Sequence, residues 1–276
     1  MDRLRVAKTY KLYVGGAFPR SESGRSYPVR AADGTLLAHA ALASRKDVRD
    51  AVSAARAALP GWSGATAYNR GQVLYRVAEV MEGRRAQFVA QVAAVEPDAE
   101  AAVDAAIDRW VWYAGWTDKI ATVLGSVNPV AGPFVNFSTP VPTGVVGVLA
   151  PPASSLLGLV DVLAPVLATG CTAVVVASTD RPLPAVELAE VLATSDVPPG
   201  VANLLTGRVT ELAPWLAAHA EVAGLDLTGA PDELRADLER AAAETVTRVL
   251  ARPDASGLDR MRAWTEIRTV WHPVGR

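Results

Sequence analysis

The sequence predicts an α/β protein built on a Rossmann-like, doubly wound parallel sheet. Two observations carry this. From Gly144 onward, short continuous apolar runs alternate with helical segments: Val145–Ala150, Thr172–Ala177, Val201–Leu205, Val222–Leu227 and Val246–Ala251. Continuous runs mark strands buried on both faces, and alternation with helices marks parallel strands joined by right-handed crossovers. The second observation is that this rhythm stops after Arg252, so the sheet should end there.

The remaining elements follow in chain order. Gly15-Gly16, Ser23-Gly24 and Asp33-Gly34 punctuate short extended pieces and suggest hairpins. Ser44 can cap a helix, with Asp47 three residues on, and Val48, Ala51, Val52, Ala55 and Leu59 then share one face. Pro60-Gly61 should end that helix. A second helix is expected over 69–95 and a third over 99–124. The segment from Asn128 to Pro142 is rich in Pro, Gly, Phe and Asn without helical period, so an extended arm or hairpin is expected. Within the α/β part, helices are expected over 155–168, 185–194, 210–219 and 232–243. Pro253 to Gly257 reads as a linker, and Ala263 to Trp271 as a strand, because it is rich in β-branched and aromatic residues. Trp264, Glu266, Arg268 and Val270 would face one way, and Thr265, Ile267, Thr269 and Trp271 the other. No later strand offers it a hairpin partner.

Composition narrows the function classes. The 276 residues suffice for one large domain or two small ones, and 50% are hydrophobic, enough to bury a sizeable core. The net charge is only -2 with no basic stripe, so nucleic acid is not an expected partner. The N-terminal stretch has no long apolar run, which argues against a signal peptide. The most apolar region, Gly144 to Ala177, is interrupted by prolines, glycines and polar residues, so no membrane span is expected. One cysteine excludes an internal disulfide framework and a multi-cysteine metal site. His39, His219 and His272 lack metal-ligand spacing. The expected location is the cytoplasm, and frequent alanine and arginine are compatible with a GC-rich bacterial gene.

Several segments together carry a resemblance. KLYVGGAF at 11–18, DVRDAVSAARAALPGW at 47–62, DRWVWYAGWTDKI at 108–120 and PTGVVGVLAP at 142–151 come first. LAPVLATGCTAVVV, VPPGVANLLTG, LDLTG and finally TEIRTVW at 265–271 follow. In this order and spacing they resemble the aldehyde dehydrogenase superfamily. The resemblance implies a dinucleotide (NAD)-binding-type domain over 1–255, with an oligomerisation arm at about 125–142 inserted, and a C-terminal oligomerisation strand over 256–276. It also implies an internal deletion. Between LDLTG and TEIRTVW the family carries a second α/β domain that holds the nucleophilic cysteine, and here the gap is too short for it.

The family's chemistry needs a thiolate, an oxyanion donor, a general-base carboxylate and a bound nicotinamide. The only thiol, Cys171, stands where the resemblance places asparagine before the second sheet strand, outside the catalytic motif, and reads as a packed hydrophobe. Ala153 stands at the oxyanion-asparagine position and Arg252 at the general-base position. No catalytic residue is therefore assigned. For the cofactor, the ribose-binding Lys-Pro-Ser-Glu turn is replaced by Ala177-Ser178-Thr179-Asp180. Asp180 keeps a shortened carboxylate, and Thr228-Gly229 keeps the strand-to-helix turn, so Asp180, Thr228 and Gly229 mark at most a vestigial NAD site. The alternatives are that Asp180 caps a helix or faces solvent, and that Gly229 serves only a tight turn. Trp110, Trp112, Tyr113 and Trp116 form an aromatic cluster, read as core rather than ligand box.

The resulting expectation is a non-catalytic subunit without cofactor. It resembles the degenerate second module of two-module aldehyde dehydrogenases. Its partner would be a full-length aldehyde dehydrogenase subunit, or a second copy of itself. Its terminal strand would pair outside its own α/β domain rather than fold back on its own sheet. The rivals are a residual NAD(P)-dependent aldehyde oxidoreductase, a nucleotide-binding sensor, or the product of a decaying gene.

Overall fold

A parallel sheet flanked by helices on both sides organises the chain. The structure is a computed structural model and describes residues 7–252 and 254–274. The N-terminal part holds β1 (Thr9–Tyr10), β2 (Ser26–Arg30) and β3 (Leu36–Ala41), in the order β1-β3-β2. The β2–β3 pair is the expected hairpin; β1 adds to β3 in parallel.

Four long helices and one short one follow: α1 (Arg45–Gly64), α2 (Ala67–Gly83), α3 (Arg85–Ala93), α4 (Ala99–Trp116) and α5 (Ile120–Leu124). The Ser44–Asp47 capping box forms as expected. Helix α1 does not stop at Pro60-Gly61. It runs on to Gly64, because the buried Trp62 must reach back to donate its indole N–H to the Leu167 carbonyl at 3.0 Å. The expected 69–95 helix is broken at Arg84, whose φ and ψ of -112° and 12° leave the helical region. There the guanidinium reaches Glu187 at 3.1 Å and Glu190 at 3.2 Å. The expected 99–124 helix breaks where the Thr117 hydroxyl bonds the Ala114 carbonyl.

The arm is β4 (Ser126–Asn128) and β5 (Phe134–Pro142). Then come β6 (Val145–Leu149), α6 (Leu157–Ala168), β7 (Thr172–Val176), α7 (Leu183–Leu192), β8 (Ala202–Leu205), α8 (Val209–Ala217), β9 (Gly224–Asp226), α9 (Asp232–Glu244) and β10 (Arg248–Leu250). The five strands form one parallel sheet in the order β10-β9-β6-β7-β8. Helices α6 and α7 pack with α2, α3 and α4 on one face, and α1, α8 and α9 pack on the other. Chain direction across the sheet therefore reverses at β6, between β7 on one side and β9 on the other. The strands β6 and β7 are buried at every position, as their continuous apolar runs require.

The C-terminal part differs from expectation. Pro253, where the expected linker begins, lies outside the described residues. Gly257, where it should end, instead opens α10 (Gly257–Ala263), followed by β11 (Thr265–Pro273). Within the expected 256–276 tail, Met261 and Trp264 are fully buried in the main core. Gly224 carries no side chain where the Trp264 ring lies against it. Strand β11 does find an antiparallel partner within the chain, the arm strand β5, from Thr265 opposite Pro142 to Pro273 opposite Phe134. The resulting sheet, β11-β5-β4, is separate from the five-stranded one.

Candidate functional site

In open α/β sheets ligands bind beyond the carboxyl ends of the strands, where the strand order reverses. Here that place is the crevice between β6 and β9, bounded by the turns after β6, β7 and β9. Each turn can be followed atom by atom.

After β6 comes Pro151-Pro152-Ala153-Ser154-Ser155. Ala153 offers only its backbone; its carbonyl accepts from Arg181 Nη1 at 3.0 Å. The Ser155 N–H donates to Glu96 Oε1 at 2.5 Å, and the Gly158 N–H donates to Ser154 Oγ at 2.9 Å. After β7, Ala177 is fully buried and its N–H is bonded to the Leu205 carbonyl at 2.9 Å. Thr179 Oγ1 donates to the Gly207 carbonyl and accepts from the Val209 N–H, so it ties this turn to the start of α8. Asp180 is exposed and does not cap α7, whose N-cap residue is Pro182. The solvent-facing alternative for Asp180 is the one the geometry supports.

After β9 the turn is closed from within. Asp226 ends the strand fully buried. Its Oδ1 accepts from the Thr228 N–H at 2.9 Å and the Thr228 hydroxyl at 2.5 Å. Its Oδ2 accepts from Arg260 Nη1 at 2.7 Å. Arg260 is itself only 3% exposed; its Nη2 donates to Thr228 Oγ1 at 3.1 Å and its Nε to the Ala255 carbonyl at 2.8 Å. Burial pushes the Asp226 carboxyl above its ordinary range, and the guanidinium and the Thr228 donors pull it part of the way back. The Gly229 N–H is bonded to the Leu149 carbonyl at 3.0 Å, and a Cβ on Gly229 would collide with the Ala150 carbonyl. Glycine is thus required for close packing of the turn on β6, with no ligand needed.

The three sequence-derived cofactor positions are therefore not one constellation. Thr228 and Gly229 adjoin each other but are committed to Asp226, Arg260 and Leu149. Asp180 belongs to the turn after β7, with β6 intervening, and faces solvent. The residues present fit a dinucleotide poorly: Ala177 supplies no cation at the expected ribose-binding position, Arg181 in the same turn is held by the Ala153 carbonyl and lies 3.7 Å from Glu96, and the N–H and hydroxyl donors after β9 are used internally.

Cys171 is buried at the start of β7, and its thiol donates to the Trp264 carbonyl at 3.3 Å. Burial raises its pKa, the opposite of what a nucleophilic thiol needs. Arg252 is exposed beside Asp254 at 3.5 Å. In the aromatic cluster, Trp110 and Tyr113 are core residues, and burial pushes the Tyr113 phenol up to about 12. Trp112 packs edge-on to Tyr113 and beside Trp116. Among the described residues no group of three or more His, Cys, Asp or Glu could hold a metal ion. No described helix is long and apolar enough to cross a membrane.

The residues that sequence reasoning missed are Asp226 and Arg260. A signal existed: Asp226 interrupts an otherwise apolar strand, and a carboxylate there demands a buried cation. Ser256 followed by Asp259 also has the pattern of a helix start, although the Ser256 side chain makes no cap bond.

Comparison with known proteins places this geometry. Residues 19–253 match the model of the aldehyde dehydrogenase family. The chain is 32% identical over 250 residues to the putative aldehyde dehydrogenase DhaS of Bacillus subtilis, covering 87% of this chain and 50% of that protein. It is 30% identical over 243 residues to the cytosolic 10-formyltetrahydrofolate dehydrogenase of Mus musculus, covering 84% of this chain and 27% of that protein. Among solved structures, HpcC from Thermus thermophilus superposes with a TM-score of 0.81 at 29% identity, over 87% of this chain and 47% of that one. A putative aldehyde dehydrogenase from Burkholderia cenocepacia does so with a TM-score of 0.82 at 28% identity, over 87% and 50%. The chain spans about half the length of most of these relatives, and about a quarter of the formyltetrahydrofolate enzyme.

Proposed function

We propose, for a chain that belongs to the aldehyde dehydrogenase family, that it is a non-catalytic subunit. It would assemble with a full-length, active aldehyde dehydrogenase as a structural or regulatory partner. One observation carries this reading. The edge where an α/β sheet takes its ligand is closed by the chain's own helix α10, through Arg260 bonded to Asp226 and Thr228.

Three further features support it. Cys171 is buried and bonded to a carbonyl. Ala153 stands at the position where the resemblance expects an oxyanion donor, and a methyl group cannot supply one. Arg252 stands at the expected base position, and a guanidinium offers hydrogen-bond donors but no acceptor. Between Gly229 and Thr265 the described residues form only α9, β10 and α10, which leaves no room for the second α/β domain that the resemblance implies. The arm and tail are nevertheless kept as an ordered sheet with exposed apolar side chains, Val127, Phe134, Val135, Ile267 and Trp271. Such a sheet suits assembly.

A second reading is a residual NAD(P)-dependent oxidoreductase or nucleotide-binding sensor. The exposed Asp180 carboxylate beyond β7 favours it, since a ribose hydroxyl could reach it. Two measurements decide between them. Native purification should bring down an intact aldehyde dehydrogenase, and calorimetry of the isolated chain with NAD should give no heat of binding. Binding at micromolar affinity or tighter, or NADH formation from an aldehyde panel, would sink the non-catalytic reading.

A further inference from the structure

We propose that the N-terminal sheet carries a binding site for a phosphate group, borne by a small phosphomonoester, in a cavity lined by Lys11, Arg20 and Arg25. The cavity lies between β1, the turn before β2 and the end of β3. It shares no residue with the turns after β6, β7 and β9, and the proposal stands apart from the partner reading above.

Positive charge is concentrated in this part of the chain. The first 30 residues hold seven Lys or Arg against two Asp or Glu, although the whole chain has a net charge of -2. Three of these cations line one cavity of about 260 Å³, and no carboxylate lines it with them. The two carboxylates beside the turn are committed elsewhere. Glu22 lies 3.1 Å from Lys46 and accepts from Ser44 Oγ. Asp47 accepts from Ser21 Oγ at 2.8 Å and from the Glu22 and Ser44 N–H groups. Among the described residues Lys11, Arg20 and Arg25 form no ion pair, whereas Lys8 next along the chain finds Glu190. Like charges gathered round one small space repel one another until an anion joins them.

The backbone beneath each cation is pinned. The Leu12 N–H, one residue past Lys11, donates to the carbonyl of Pro19, one residue before Arg20, at 3.1 Å. Gly24, at φ 66°, closes the following turn by donating to the Ser21 carbonyl at 2.8 Å. The Arg25 N–H donates to Ser23 Oγ at 3.3 Å, and the Arg25 carbonyl accepts from the Leu42 N–H at 2.9 Å. The turn therefore returns Arg25 to the cavity that Lys11 and Arg20 line, and a ligand meets backbone that is already ordered. The donor set selects the ligand. Two guanidinium forks match the oxygens of a phosphate, and the ammonium adds a compact charge. Thr9 and Ser26 stand in the same lining and bring two hydroxyl donors. The volume lies below the roughly 300–1,000 Å³ of sites for drug-sized ligands, so it suits a phosphate with a few carbons rather than a nucleotide.

Calorimetry of the purified chain in low salt, titrated with glycerol 3-phosphate and separately with inorganic phosphate, tests this. One saturable site is expected, with an affinity that falls as sodium chloride is added. Tighter binding of glycerol 3-phosphate supports a phosphomonoester as the ligand; equal or tighter binding of inorganic phosphate overturns that part and assigns the site to the free ion. Losing one charge-assisted hydrogen bond weakens binding about tenfold or more, so Arg20→Gln and Arg25→Gln should each do so. Arg76→Gln, which removes an exposed cation outside the cavity, should leave binding unchanged. Ser26→Glu is an independent check that keeps all three cations. Its carboxylate, placed in the lining, should abolish phosphate binding and raise the thermal midpoint. No saturable heat from either probe, or equal weakening by Arg76→Gln, reduces the cluster to a solvated basic surface and overturns the proposal. Undiminished phosphate binding by Ser26→Glu does the same.

Discussion

Removing the Arg260 side chain should be the most damaging single substitution in the C-terminal segment. In Arg260→Ala the Asp226 carboxylate stays fully buried and loses the charge-bearing donor at 2.7 Å, keeping only the two Thr228 donors. The Ala255 carbonyl also loses its 2.8 Å bond. Breaking a buried ion pair from one side costs about 3–5 kcal/mol, a large part of the roughly 5–15 kcal/mol that holds a domain folded. Replacing both partners with apolar groups is a different matter. Asp226→Leu combined with Arg260→Met removes both desolvation penalties, and such swaps are about neutral or stabilising. Urea unfolding followed by tryptophan fluorescence reads these differences, since Trp264 is buried close by in the same segment. The pH dependence has a definite sign. Burial already raises the folded-state pKa of Asp226, so its contribution is most favourable below the ordinary carboxylate range and is lost as pH rises through the raised value. Without Arg260 the carboxyl rises further, and a neutral carboxyl needs no cation. The stability gap between wild type and Arg260→Ala should therefore narrow on acidification, as long as both remain folded. A loss under about 1 kcal/mol for Arg260→Ala, or a gap that widens in acid, would refute the buried-pair argument.

Three other outcomes are expected. Val246 sits at φ 56°, 92% exposed, at the turn that closes α9, where the Val246 and Thr247 N–H groups bond the Ala243 and Ala242 carbonyls. That position favours glycine. The left-handed conformation costs about 1–2 kcal/mol and glycine's extra chain entropy returns about 0.5–1 kcal/mol, so Val246→Gly should raise the thermal midpoint by a few degrees; an unchanged or lowered midpoint would contradict this. Cys171 should resist thiol reagents in the folded chain and react on unfolding, with Cys171→Ala leaving aldehyde turnover at background; fast labelling of the native protein would show the thiol accessible. Deleting residues 258–276 should unfold or strongly destabilise the chain by removing Arg260, Met261 and Trp264 from the interior; a deletion product with native circular dichroism and an unchanged unfolding midpoint would show that α10 is dispensable.

What the sequence alone determined was the local and periodic part of this protein. The strands β6 to β9 and their intervening helices were legible because burial on both faces writes apolar runs, and the Ser44–Asp47 cap was legible because it is made within four residues. Ala153 and Ala177 were also legible as positions whose side chains supply neither a hydrogen-bond donor nor a cation, whereas the burial of Cys171 was set by the fold. Tertiary structure decided the rest, wherever a residue's role depends on a partner far along the chain. Trp62 carries α1 past Pro60-Gly61 to reach Leu167, and Arg84 breaks a helix at Glu187 and Glu190. Arg260 crosses from α10 to Asp226, so the segment after Arg252 is built into the core instead of hanging from it. Sequence periodicity shows which face of an element is apolar, but not which distant charge a buried carboxylate will find. That pairing is set by packing, because a buried charge is tolerable only where the fold delivers its counterpart.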